Sequence, residues 1–306
     1  MTQTGTDTVR DTYLEWTSNR IKGIPTDPEA WGDLTAEPRG VDYVEFAASG
    51  LPALWAVPQG CAEDRVLLCM HGGGFIGGSI YTHRKLYAHI AKAVGARALL
   101  FDYRLAPEHV HPAQVDDATA LYQWLIDEQG LEPEHVAFAG DSSGGGLAMS
   151  TQLRARERRL PLPAAALLMS PWVDIEQSGE SYRSNWATET FFYKELVDGL
   201  AAIFLGPEGD PRDALASPIR ADIHGLAPLF IQVGGHETLL DDSRGLTERA
   251  RAAGVETRLE VFAGQQHTFQ MAAGRSAEAD RAIEMFAGWL RPKLGLGSAV
   301  AVNAAA

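Results

Sequence analysis

Six short apolar runs, most of them separated by longer amphipathic stretches, constrain this chain more than any other feature. They are Val66–Met70, Ala98–Asp102, Val136–Ala139, Ala164–Met169, Leu229–Val233 and Arg258–Phe262. Each is too short for a helix and is followed by a glycine, a proline or a charged turn. Continuous apolar runs of this length suit strands buried on both faces. Between them, His83–Val94, Asp116–Gln129, Ser143–Arg158, Arg244–Ala253 and Ala277–Leu290 carry apolar residues at three- and four-residue spacing, which predicts helices. Gly95 and Gly254 stand where helix C-caps belong. Strand alternating with helix implies a mainly parallel sheet covered on both faces. Val41–Ala47 and Leu54–Val57, with Ser49-Gly50 as the turn, read as an added antiparallel hairpin, which brings the expected sheet to eight strands.

Two stretches interrupt the alternation. Residues 1–40 hold Trp16, Trp31 and three prolines but no strand pattern, and residues 178–218 gather Trp186, Phe191, Phe192 and Tyr193. Both read as helical insertions forming a cap over a core of residues 41–177 and 219–294. The small, uncharged residues from Gly295 to Ala306 read as a disordered tail. A chain of 306 residues with 45% hydrophobic content can bury a sizeable core. Its net charge of −14 argues against nucleic acid or an anionic membrane as the main partner. Arg154, Arg156, Arg158 and Arg159 read as a solvated helix face. The two cysteines, Cys61 and Cys69, give no disulfide framework, and Cys69 reads as a buried small hydrophobe. The first 20 residues lack an apolar signal core and no run is long enough to span a membrane, so a cytoplasmic location is expected.

The chemistry concentrates in two glycine-rich segments. Gly140-Asp141-Ser142-Ser143-Gly144-Gly145 sets a serine between glycines where a strand turns into a helix. A nucleophile needs that strained turn to stand clear of the backbone around it. His71-Gly72-Gly73-Gly74-Phe75 follows the Val66–Met70 strand and offers backbone N–H groups with no side chains in the way. Gly72 and Gly73, with Gly74 as a further candidate and the Ser143 amide opposite, read as an oxyanion hole. His71 reads as a structural residue of that loop. A serine needs a base, and His224, His236 and His267 follow it in the chain. His267 comes just past the last strand, where a loop can reach the serine; His224 precedes a strand and belongs at the other end of the sheet. The acid should follow the penultimate strand, where Glu237, Asp241 and Asp242 crowd one loop. Chemistry alone leaves Glu237 and Asp241 close.

Together with Tyr103-Arg104-Leu105-Ala106-Pro107-Glu108, Pro112-Ala113, Asp116-Asp117 and Ser170-Pro171-Trp172, these motifs resemble the hormone-sensitive-lipase family of α/β-hydrolases, in its bacterial carboxylesterase branch. The resemblance covers most of residues 40–290. It implies an α/β-hydrolase fold, Ser142 as nucleophile, His267 as base, and Gly72, Gly73 and the Ser143 amide as oxyanion hole. The family's usual acid segment reads Asp-Pro-Leu-x-Asp, and Glu237 stands at its acid position, as in a minority of relatives that include lactone hydrolases. Tyr103–Glu108 and Asp116 are expected to brace the hole-forming loop and the turn at Ser142. Phe75, Trp172, Trp186, Phe191, Phe192 and Tyr193 are candidate pocket-lining residues.

The expected activity is cofactor-free hydrolysis of small to medium uncharged esters or lactones through an acyl-enzyme. An amidase on the same triad is the nearer alternative, and a non-catalytic binding protein of the same fold the more distant one. No phosphate loop, dinucleotide fingerprint or zinc-ligand spacing occurs. Relatives often pair through an edge strand or a late helix, which makes a homodimer an expectation by resemblance only.

Overall fold

The computed structural model describes residues 5–25 and 27–297. Eight strands form one sheet: β1 (Val41–Ala48), β2 (Leu51–Pro58), β3 (Ala62–Met70), β4 (Ala96–Phe101), β5 (Val136–Asp141), β6 (Ala165–Met169), β7 (Leu229–Gly234) and β8 (Thr257–Phe262). Their spatial order is β1-β2-β4-β3-β5-β6-β7-β8. β1 and β2 pair antiparallel, as do β2 and β4; all the other pairings are parallel. The hairpin turns at Ser49 and Gly50, both with positive φ, the geometry that suits the twist of the flanking strands.

Alternate strand residues enter two separate cores. Val66, Leu68 and Met70 face one side of the sheet, and Leu67 and Cys69 the other. Both sides are covered, and for this reason the strands read as unbroken apolar runs. The first core is closed by α3 (Ala113–Asp127), α4 (Ser143–Glu157) and α7 (Leu240–Ala252), and the second by α2 (Ile80–Val94) and α8 (Ala277–Leu290). Ser79 caps the start of α2 through a reciprocal bond pair with Thr82, and Gly95 ends that helix in the left-handed conformation.

The interrupting stretches hold α1 (Gly5–Ile21), α5 (Ser181–Ser184) and α6 (Lys194–Leu205). They touch each other: Thr17 Oγ1 donates to the Thr190 carbonyl at 2.7 Å, and Tyr13, Trp16, Trp31 and Phe191 form one aromatic cluster. The expected tail begins too early. The Leu296 N–H bonds the Arg291 carbonyl, and Arg291 Nε donates to the Gly297 carbonyl; residues 298–306 lie outside the described residues. Cys61 and Cys69 are both free. Among the described residues no helix is long and apolar enough to cross a membrane.

β4 and β5 lie on opposite sides of β3. The connections after β3 therefore diverge, and the carboxyl ends of the parallel strands at such a point are where open α/β sheets bind ligands. The loops after β3, β5, β6, β7 and β8 all emerge at that edge.

Candidate active site

Ser142 occupies the turn between β5 and α4 with φ 53° and ψ −123°, a strained conformation for a residue with a side chain. The turn is tight because its glycines touch backbone. A Cβ on Gly140 would run into the Gly144 carbonyl, and one on Gly144 would meet the carbonyl oxygens of Met70 and His71. The serine is 5% exposed.

His267 and Glu237 meet at the ends of β8 and β7. His267 Nδ1 donates to Glu237 Oε2 at 2.7 Å, and both side chains are fully buried. The other carboxylate oxygen, Oε1, accepts from Ser170 Oγ at 2.7 Å and from the Gly234 N–H at 2.5 Å. Ser170 in turn accepts the Thr268 N–H at 3.2 Å. Tyr13 reaches in from α1, its hydroxyl donating to the His267 carbonyl at 3.0 Å. Four elements thus fix the imidazole, while its Nε2 is buried with no protein partner among the described residues. An imidazole held at Nδ1 with Nε2 free can take and return a proton.

Asp241 faces elsewhere. Its carboxylate accepts the Ser181 N–H at 2.8 Å and pairs with Arg244 at 3.1 Å. Asp242 is buried and accepts the N–H groups of Val173 and Asp174, both at 2.9 Å; burial pushes its carboxyl up to about 8. His224 is exposed and bonds Asp222.

The hole-forming loop differs from expectation at one residue. The Gly72 N–H is already donated to Asp141 Oδ1 at 3.0 Å, which removes it from the set of free donors. Asp141 also accepts from the Tyr87 hydroxyl at 2.7 Å and from His83 Nε2 at 3.2 Å. Despite complete burial, which raises it, its carboxyl is held below its ordinary range by His83 and Tyr87. The N–H groups of Gly73 and Gly74 have no acceptor among the described residues, and the Ser143 N–H opens α4, where helix amides lack intrahelical partners. Those three amides remain available. His71 is structural: its Nδ1 donates to the Gly72 carbonyl at 2.8 Å and its ring stacks on Tyr103 at 4.2 Å. Burial, helped by His83, lowers it to about 3, so it is neutral.

Tyr103 braces this loop as expected, its hydroxyl donating to the His71 carbonyl at 2.7 Å. The partner of Arg104, however, is Asp117, which binds its Nε and Nη2 side chain and its backbone N–H. Asp116 lies outward and pairs with Arg158 at 2.9 Å.

The candidate pocket residues divide. The Phe192 ring lies 4.2 Å from the His267 ring. Phe75 and Trp172 are buried near each other, with Phe75 stacked on Phe204 at 4.0 Å. Phe191 stands one layer back in the aromatic cluster, and Tyr193 lies under the Arg20 guanidinium. Trp186 is 67% exposed and lines nothing; it sits on the outer side of its segment. Two residues unremarked in the sequence belong to this site: Ser170, quoted there only within a motif, and the buried Glu189.

A family model described as the alpha/beta hydrolase fold matches residues 67–271. An acetyl-hydrolase of Streptomyces hygroscopicus is 38% identical over 269 residues, 88% of each chain. An esterase of Acinetobacter venetianus is 34% identical over 222 residues, covering 72% of this chain and 73% of its own. The crystal structure of an esterase from the bacterial hormone-sensitive lipase family matches with a TM-score of 0.90 at 39% identity, over 96% of this chain and 100% of that one. Sheet order, serine turn and histidine loop together define an α/β-hydrolase. Within that class the chain belongs to the hormone-sensitive-lipase family, and it is a carboxylic ester hydrolase.

Proposed function

We propose that this esterase cleaves small to medium uncharged esters or lactones through an acyl-enzyme carried by Ser142, His267 and Glu237. The observation that carries the reading is the 2.7 Å bond from buried His267 to Glu237, which leaves the unshared Nε2 as the proton acceptor. His267 removes the Ser142 proton, and Oγ attacks the ester carbonyl. The oxyanion is met by the amides of Gly73, Gly74 and Ser143. Collapse returns the proton to the leaving alcohol, and water activated by the same imidazole releases the acid. Glu237 holds the tautomer and stabilises the imidazolium. Segments 1–40 and 178–218 act as the cap, with Phe192, Phe75 and Trp172 presenting apolar surface to the substrate.

The test is hydrolysis of p-nitrophenyl esters from acetate to palmitate, a lactone and an anilide, with Ser142→Ala beside the wild type. Ester or lactone turnover that vanishes in the variant is the expected result. Turnover of the anilide in preference to the esters would make the protein an amidase, and residual Ser142→Ala activity equal to wild type would remove the serine from the reaction.

A further inference from the structure

Glu237 is not the only buried carboxylate bonded to the loops around the histidine. Glu189, in the segment between α5 and α6, is 8% exposed. Its Oε1 accepts the N–H groups of Phe191 at 2.9 Å and Phe192 at 3.1 Å, and its Oε2 accepts the Thr238 N–H at 3.2 Å. Thr238 directly follows Glu237, and Phe192 carries the ring that lies on His267. The same segment is stitched to both loops by neutral groups. Asn185 Nδ2 donates to the Glu237 carbonyl at 2.8 Å, and Gln266 Nε2 to the Thr188 carbonyl at 3.1 Å.

With neutral bonds already joining these loops, a charged group needs a further reason. A buried carboxylate without a countercharge is costly. Burial raises the Glu189 carboxyl above its ordinary range and Glu237 adds to this, while a positive charge on His267 and the Phe191 and Phe192 amides act the other way. The other titratable groups facing this corner are Tyr13 from α1, kept protonated by its burial, and, beyond it, Asp141 at the end of β5. A positive charge forms on this imidazole during each turnover, and Glu189 is placed to meet it.

We infer that Glu189 is a second carboxylate serving the base. It is a positioning residue whose charge supports the imidazolium and whose grip on the Thr238 amide steadies the loop carrying Glu237. This rests on the Ser142–Glu237–His267 reading.

The experiment is the pH profile of kcat/KM for a short p-nitrophenyl ester in wild type, Glu189→Gln and Glu237→Gln, with melting temperatures alongside. In Glu189→Gln an imidazolium with one carboxylate fewer releases its proton more readily. The acidic limb therefore moves to lower pH, and kcat falls about tenfold with KM little changed. An unmoved limb with kcat intact, whatever the melting temperature, overturns the inference and leaves Glu189 a structural clamp. Should Glu189→Gln not fold, Glu237→Gln decides. With Glu189 still in place, the acidic limb of its residual activity moves down only modestly. Without such support a buried imidazole drops much further, and a limb displaced that far overturns the inference. Full wild-type activity in Glu237→Gln would instead sink the triad reading itself.

Discussion

Replacing Ser170 by alanine isolates the hydroxyl that joins the acid loop to the histidine loop. Its Oγ donates to Glu237 Oε1 at 2.7 Å and accepts the Thr268 N–H at 3.2 Å, all within fully buried surroundings. Both residue types carry a Cβ, so the left-handed backbone at this position (φ 46°) costs the same in each. A hydrogen bond to a charged group contributes about 1.5–3 kcal/mol, and a stranded buried N–H costs about 1–3 kcal/mol. The Thr268 bond is long and contributes near the low end, which gives a total of about 2–4 kcal/mol. For a chain of this size each kcal/mol moves Tm by about 2 °C. Calorimetry should therefore show a fall of about 4–8 °C. Glu237 keeps the Gly234 N–H and the imidazole, so kcat should drop about tenfold rather than to the level of a lost triad acid. A Tm within about 1 °C of wild type together with unchanged kcat would show that Ser170 neither holds the carboxylate nor satisfies the Thr268 amide.

Three further outcomes rest on contacts elsewhere in the molecule. Asp241→Asn should leave kcat/KM within about threefold, because its carboxylate serves Ser181 and a half-exposed Arg244; a loss of orders of magnitude in the ester assay would transfer the acid role to Asp241. Asp242 is raised to about 8 in the folded chain, so the folded state holds a proton that the unfolded state releases above about pH 4. Its stabilising contribution is full at low pH and is lost as pH rises through that window, so urea midpoints of wild type should fall relative to Asp242→Asn between pH 5 and 8; parallel midpoints would contradict the assignment. Gly144→Ala drives a Cβ into two backbone carbonyls, and circular dichroism of the soluble fraction should find little or no native protein.

Strands and the tight turn at Ser142 were legible because their causes are local. A run such as Val136–Ala139 announces burial on both faces, and Gly140 and Gly144 announce a turn too tight for side chains. His267 could be chosen because strand order tells which end of the sheet a loop leaves from. What stayed hidden depends on partners far away in the chain. Gly72 is withdrawn from the oxyanion donors by Asp141, 69 residues on, and no spacing rule encodes that bond. Asp117 rather than Asp116 meets Arg104 because the first turn of α3 directs one carboxylate inward and its neighbour outward. α1 buries a narrow stripe of Val9, Tyr13 and Trp16 among threonines and charges, too weak a pattern to set its limits. Glu189 sits between two threonines in an irregular segment, where an acid ordinarily signals only solvent.

The contact between Phe192 and His267 has a bearing on modularity. Residues 178–218 look from the chain alone like an interchangeable attachment on a self-sufficient core. They supply a ring against His267, a carboxylate on the Thr238 amide and a side-chain amide on the Glu237 carbonyl. A transplant of this segment from a relative, made to change substrate range, would also retune the proton chemistry beneath it. Grafts that carry over residues 185–192 of the recipient should keep turnover, and those that replace them should lose it before selectivity can be read.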